Sequence, residues 1–307
     1  MIHRVDDPLK YQQMTASRDK RLFIGTLYSK ENEYEACVQS IKSQTYQKFD
    51  HFVFADLPNK EAHVALFTAF LAKKDQYDLL IKVDADMVIN DPALFENIVL
   101  TMQKHPEKDI LSIAVHDFFS DQLIFGLNTY RNTVTWDFSK ENLFVDIPLP
   151  PSTYIFDDHE LAPAAVHCAD PSPYQAFHYG VHRGLKMVQP EQEAIRESSR
   201  RTKWTGMERT WDHYQRTNDR RLGLACIGAE LAYAGVFSIK DLDVTNPRID
   251  EVLQKFLGLN DQALHTEVMR CRLLNFGFLP SSTRRKLISK RADRGRKSHM
   301  INWYVRK

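Results

Sequence analysis

Apolar positions recur with two different periods along this chain, and the alternation between them predicts its elements. Residues 21–28 (RLFIGTLY) form a short apolar run after polar residues, the pattern of a buried strand. Beyond it Tyr34, Cys37, Val38 and Ile41 recur at i, i+3, i+4 and i+7, with Ser29 placed to cap and Glu31 and Glu33 in the first turn, which predicts a helix. A second strand follows over 51–55 (HFVFA), a second helix over 60–73, and a third strand over 78–83 (DLLIKV). Strand, helix, strand, helix and strand in this order predict parallel β-α-β units. In such sheets ligands bind outside the carboxyl ends of the strands, and Thr26, Asp56 and the pair Asp84/Asp86 fall at such ends.

Farther along, Asp91-Pro92 starts a helix that runs to Lys104, and strands are expected over 109–115 and 122–127. Residues 128–166, rich in Pro and aromatics, read as an irregular insertion or a loop over a site. The chain turns helical again from Ser172, with several helices across 190–275. The longest apolar stretch, Leu222 to Phe237, is interrupted by Glu230 and falls short of the ~18 apolar residues of a membrane span, so it reads as a buried helix.

Composition places the chain among soluble globular proteins, with 43% hydrophobic and 26% charged residues, and excludes disordered, collagen-like and disulfide-scaffold classes. Its four cysteines, Cys37, Cys168, Cys226 and Cys271, form no CxxC pair, a usage that fits a reducing compartment. The opening residues MIHRVDDPLKYQQ lack the apolar core of a secretory signal, and together these features lead to the expectation of a cytoplasmic protein. The overall charge is +1, but residues 284–307 hold ten Lys/Arg and one Asp, a local +9 that leaves −8 on the rest.

Asp84-Ala85-Asp86 follows the third strand directly, with apolar neighbours on both sides. A strand continuing straight points both carboxylates to one face. There they can share a hard cation, Mg²⁺ or Mn²⁺, which prefers oxygen ligands and relieves the mutual repulsion of a half-buried pair. The plainer reading is an acidic turn, or a pairing with Lys82. Asp56, before Leu57-Pro58, is otherwise a turn residue.

The ordered set Asn32-Glu33, Ser40-Ile41-Lys42-Ser43-Gln44-Thr45-Tyr46, Asp56 and Asp84-Ala85-Asp86 resembles the nucleotide-sugar half of a GT-A glycosyltransferase, close to glycosyltransferase family 2. It covers about residues 20–115 and departs from that pattern at Thr26-Leu27-Tyr28-Ser29, which lacks the usual Pro, and at Leu57, where a second Asp is usual. The resemblance implies an α/β GT-A fold: a Rossmann-like nucleotide-sugar-binding mixed sheet flanked by helices, with a helical carboxyl-terminal region. It implies a nucleotide-sugar half over 1–115, an acceptor and metal-completing half over 116–190, a helical region over 191–283 and a basic tail over 284–307. It further implies Thr26 and Asp56 at the base, Asp84 near the ribose and also at the metal, Asp86 on Mn²⁺ or Mg²⁺, and His167 completing the cation site. A buried hydrogen-bonded His is the alternative for His167. Cys168 reads as a small core residue, since thiolates suit softer metals.

On the helix after Pro173, Phe177, Val181 and Leu185 form one apolar line, and His178, His182 and Lys186 the line beside it. His182, Arg183 and Lys186 read as a stripe facing the donor diphosphate, against a solvated basic face as the alternative; Gly180 and Gly184 permit close approach of backbone or substrate. Asp117, Asp137 and Asp158 are candidates for a catalytic base, which stays unassigned. The expected function is metal-dependent transfer of a sugar from a nucleotide donor to an acceptor hydroxyl of a glycan or lipid-linked glycan. A GT-A-like nucleotidyltransferase, which usually carries a Gly-rich phosphate loop absent from Gly25–Lys30, and a nucleic-acid binder or modifier working through the tail are the alternatives. The tail can meet anionic lipid or another polyanion, at the inner face of a membrane for instance, or dock on the acidic body.

Overall fold

Three parallel strands form one half of a mixed sheet: β1 (Leu22–Tyr28) pairs with β2 (Phe49–Ala55) on one side and β3 (Leu79–Lys82) on the other. The computed structural model describes residues 20–138, 146–188, 197–243 and 246–293. A short β4 (Met87–Ile89) follows β3 in the chain, and β5 (Ile110–Asp117) and β6 (Gln122–Arg131) form an antiparallel pair, β6 lying against β3. β7 (Tyr154–Asp157) and β8 (Ala165–His167) complete a sheet of order β2-β1-β3-β6-β5-β8-β4, with β7 also on β5. The described residues of 128–166 are therefore less irregular than their composition indicates. β6 runs four residues past the expected end, and β5 takes β7 along its first half and β8 at its end. A three- or four-residue strand next to Pro carries almost no period, so only pairing reveals it.

Helices α1 (Tyr34–Lys42) and α3 (Leu94–Lys104) cover one face, burying Cys37, Ile41, Phe95 and Ile98 against Ile24, Ile81 and Val83. Helix α2 (Asn59–Leu71) covers the other, where Leu66, Phe67 and Phe70 meet Phe23 and Leu80 and Trp136 stacks on Phe67 at 4.1 Å. Ser29 is not the cap of α1. Its backbone N–H and hydroxyl both donate to the Glu31 carboxylate, and the helix begins after Glu33. Glu33 instead accepts from Asp170 N–H and Gln175 Nε2, and the Asn32 side chain donates to Asp170 O, so Asn32-Glu33 ties the first loop to the loop after β8.

Beyond the sheet lie α4 (Pro173–Val188), α5 (Glu197–Thr217), α6 (Arg220–Tyr233), a 3₁₀ turn at Ile239–Leu242, then α7 (Arg248–Leu257), α8 (Asp261–Leu274) and α9 (Ser281–Asp293). Helix α6 is buried from Leu222 to Tyr233, as its apolar run predicts. It crosses α4 backbone to backbone: a Cβ on Gly180 would fall 1.9 Å from Ala225 O, and one on Gly228 2.4 Å from Phe177 O. Glu230 sits inside this layer without breaking it, paired with the buried Arg284 and hydrogen-bonded by Asn275 Nδ2 at 3.0 Å. Arg284 belongs to this core and not to a solvated tail, and it also reaches Glu208 at 2.9 Å. The rest of the tail from Arg294 on, with Arg296, Lys297, Trp303 and Tyr304, and the opening residues 1–19 lie outside the described residues. Among the described residues no helix is long and apolar enough to cross a membrane.

Candidate functional site

Past β3 the chain keeps the strand register of β1 for three more residues: Val83 N–H donates to Gly25 O at 3.0 Å and Ala85 N–H to Leu27 O at 3.2 Å. The period of two then buries Val83 and Ala85 completely and leaves Asp84 and Asp86 half-buried between them. Their surroundings differ. Both oxygens of Asp84 are taken by the buried Lys82 Nζ, at 2.6 and 2.7 Å. Asp86 Oδ2 lies 3.3 Å from His167 Nε2 and 3.2 Å from Cys168 Sγ.

Strand pairing makes this meeting. β4 sets Met87 opposite His167 and β5 sets Asp117 beside it, while Cys168 N–H donates to Asp86 O at 2.8 Å. His167 Nδ1 is 2.7 Å from Asp117 Oδ1, and Asp117 Oδ2 accepts from the Ser120 N–H at 2.9 Å and from its hydroxyl. Burial works against the Asp86 carboxylate, but the His167 imidazolium beside it brings its pKa down to about 2. Burial likewise opposes the imidazolium, and Cys168, Asp86 and the Asp117 hydrogen bond outweigh it, holding His167 well above its ordinary value. Asp117 is thus an orienting group for His167, fully buried, and not a base facing an acceptor. Asp158, paired with His159 at 3.0 Å, and Asp137 are exposed.

The residues fit a divalent cation. Asp86 Oδ1 is buried with no hydrogen-bond partner among the described residues, an expensive state for a carboxylate oxygen, and it belongs to the group that already offers Asp86 Oδ2 and His167 Nε2. Asp117, hydrogen-bonded to Nδ1, is the kind of partner that fixes the tautomer of a metal-binding imidazole. Asp84 stands outside this group, and so does Thr26. Thr26 lies on the α1 face of β1 with its hydroxyl 2.9 Å from His51 Nε2, whereas Gly25 and Leu27 share the face of Lys82 and Asp84. Asp56 ends β2 exposed, in the left-handed region at φ 54°, its N–H donating to Tyr28 O.

The sequence resembles no family model and no curated protein closely enough to match. Among solved structures the chain is similar to the mannosyltransferase PcManGT from Pyrobaculum calidifontis in complex with GDP-Man and Mn²⁺. That likeness covers 88% of this chain and 94% of that one, at 12% identity and a TM-score of 0.35.

A basic half faces the acidic one. Lys186 lies in the field of Asp146, Arg183, Lys82 and Asp84; burial, with Arg183 and Lys82, brings its pKa down to about 8. The Arg183 guanidinium stands over the Tyr179 ring at 5.0 Å. Sequence patterning misses two members here. Arg183, ahead of burial and Lys186, pushes Lys203 on α5 well below the ordinary lysine value. Burial opposes the Asp146 carboxylate, but Lys186, His63, Lys82 and Lys203 draw it down to about 2. His182 does not add positive charge: burial first, then Lys186, His178 and Arg183, hold it neutral, and its Nε2 has no partner among the described residues. Burial brings His178 down to about 4 as well. Near the acidic half, burial and Asp86 raise Glu31 to about 7 even though Ser29 donates to it twice.

Proposed function

We propose that this protein is a metal-dependent glycosyltransferase that takes a nucleotide-sugar donor. The observation that carries this reading is the convergence of Asp86 and His167, the latter oriented by Asp117, just past the carboxyl end of β3 and beside a cluster of basic side chains. A cation on Asp86 and His167 next to Lys82, Arg183, Lys186 and Lys203 suits a ligand that carries two phosphates, one shared with the metal and one with the fixed cations.

In this reading Asp86 and His167 hold the divalent ion, Mn²⁺ or Mg²⁺ among the candidates, and the ion supplies Lewis-acid stabilisation of a diphosphate leaving group. Asp117 keeps the proton on His167 Nδ1 so that Nε2 faces the ion. Lys82 neutralises Asp84, which lets a nucleotide approach without meeting two free carboxylates. The Asp146 carboxylate offsets only part of the mutual repulsion of Arg183, Lys186 and Lys203, so their preorganised field favours the charge that develops on departure of the nucleoside diphosphate. Asp56 and Asp84 remain the proposed base-side and ribose-side contacts. The acceptor would be a hydroxyl of a glycan or lipid-linked glycan.

Thermal-shift titration of UDP-, GDP-, CMP- and dTDP-sugars with and without Mn²⁺ tests the reading. One donor class is expected to raise the melting temperature only with the cation, in proportion to the logarithm of its excess over Kd. Asp86→Ala is expected to lose that shift, and cation-dependent donor hydrolysis, while keeping its own melting transition. Equal shifts in wild type and Asp86→Ala would exclude the reading.

A further inference from the structure

We propose that Cys168 is a third protein ligand of the cation site, so that Asp86 Oδ2, His167 Nε2 and Cys168 Sγ take a borderline divalent ion of the Zn²⁺/Co²⁺ class in preference to Mg²⁺. The proposal rests on the reading of Asp86 and His167 as a cation site and is independent of sugar transfer.

Three observations carry it. The ligand atoms form a triangle with edges of 3.3 Å from oxygen to nitrogen, 3.2 Å from oxygen to sulfur and 3.6 Å from nitrogen to sulfur. Metal bonds of about 2.0–2.1 Å to nitrogen and oxygen and about 2.3 Å to sulfur, spread at tetrahedral angles, put such atoms ~3.3–3.5 Å apart. The triangle therefore has the size of one face of a coordination shell, with the remaining positions free for water or substrate oxygens. Second, Cys168 adopts the left-handed region at φ 54°, which costs a non-glycine residue about 1–2 kcal/mol. That conformation follows directly on β8 and brings Sγ to the carboxylate while the Cys168 N–H binds Asp86 O. Third, Sγ is almost fully buried and Asp86 Oδ1 beside it has no partner among the described residues.

Cys168 borders the apolar cluster of Phe119, Ala176 and Phe177, yet its Sγ also has a carboxylate, an imidazole and, at 3.7 Å, the Gln175 amide as neighbours. A thiolate ligand shifts preference from hard ions toward Zn²⁺ and Co²⁺. Binding forms a metal–sulfur bond and releases the thiol proton to solvent.

Co²⁺ is the probe. Titrated into the full-length protein, it is expected to bind one ion per chain and produce a strong near-ultraviolet sulfur-to-cobalt charge-transfer band. Zn²⁺ should bleach that band and excess Mg²⁺ should leave it. Cys168→Ser is expected to abolish the band and weaken Co²⁺ binding at least tenfold, about the lower end of what even a group that only hydrogen-bonds a ligand is worth. Cys37→Ser, in which a thiol 3.6 Å from the Asp84 carbonyl is removed, should keep it. Should Cys168→Ser not fold, X-ray absorption of the Co²⁺-loaded wild type decides: a sulfur neighbour at about 2.3 Å supports the ligand, and a shell of nitrogen and oxygen alone overturns it. Co²⁺ bound by calorimetry without the band, or a band that survives Cys168→Ser, overturns the cysteine ligand and leaves the cation site standing. No Co²⁺ or Mn²⁺ binding at all overturns both.

Discussion

With Nδ1 held 2.7 Å from the buried Asp117 carboxylate, His167 can present only Nε2 to Asp86. The arrangement depends on Asp117 keeping its charge, because a neutral amide in its place holds the ring less firmly and lowers the basicity of Nε2. Asp117→Asn is expected to weaken Mn²⁺ or Co²⁺ binding by about 10–100-fold while leaving the melting temperature of the metal-free protein within a few degrees. Calorimetric titration of the variant checks this, and unchanged affinity would remove Asp117 from the site. Asp117 also shows why residue type and position do not reveal a role. A carboxylate at a strand end is a fair candidate for a base, yet complete burial and three hydrogen bonds commit its oxygens elsewhere.

At the scale of elements, α4 carries Arg183 and Lys186 and packs closely on α6. Gly180 and Gly184 permit close approach of backbone, the first against Ala225 and the second against Ala229 and Ala232. Gly180→Ala would set a methyl group against a fixed carbonyl, forcing the helices apart. A loss of about 3 kcal/mol or more is expected, the upper end of overpacking penalties. Gly206 on α5, where a Cβ would meet nothing within 4 Å, is the contrast. Gly206→Ala should gain roughly 0.5–1 kcal/mol from helix propensity alone. Urea unfolding of both variants measures the difference, and equal midpoints would contradict the close crossing.

For the whole molecule, the carboxyl-terminal basic stretch divides at the level of burial. Arg284 closes a buried network with Glu230, Glu208 and Arg272, and its guanidinium also stands over the Trp204 ring at 4.9 Å. Arg284→Met leaves the buried Glu230 with Asn275 and the longer contact to Arg272 alone, and is expected to cost about 3 kcal/mol. Lys290→Met, at an exposed position of the same helix, is expected to stay within about 0.5 kcal/mol. Chemical denaturation of the two variants tests this division. A cut at residue 283 would therefore remove part of the helical core, and association with lipid or another polyanion is better probed with the exposed basic residues Lys286 and Lys290 than by truncation.

Local patterning determined the three parallel strands, the helices between them, the buried helix around Glu230 and the placing of Asp84-Ala85-Asp86 at a strand end. Each of these follows from side-chain period and backbone geometry over fewer than about 20 residues, the range in which a helix or strand declares itself. Tertiary structure decided which aspartate meets His167, that Lys82 takes the other, and that Thr26 turns to the opposite face. It also decided that His182 stays neutral and that Cys168, Lys203 and Asp146 join the crevice. Apart from the Lys82–Asp84 pair, two residues apart and already one of the readings of the sequence, these are matters of pairing between distant segments, as in Asp86 with Cys168 and Asp117 with His167. No period in the chain encodes such distances; they arise from strand order and from the cost of leaving a buried charge without a partner.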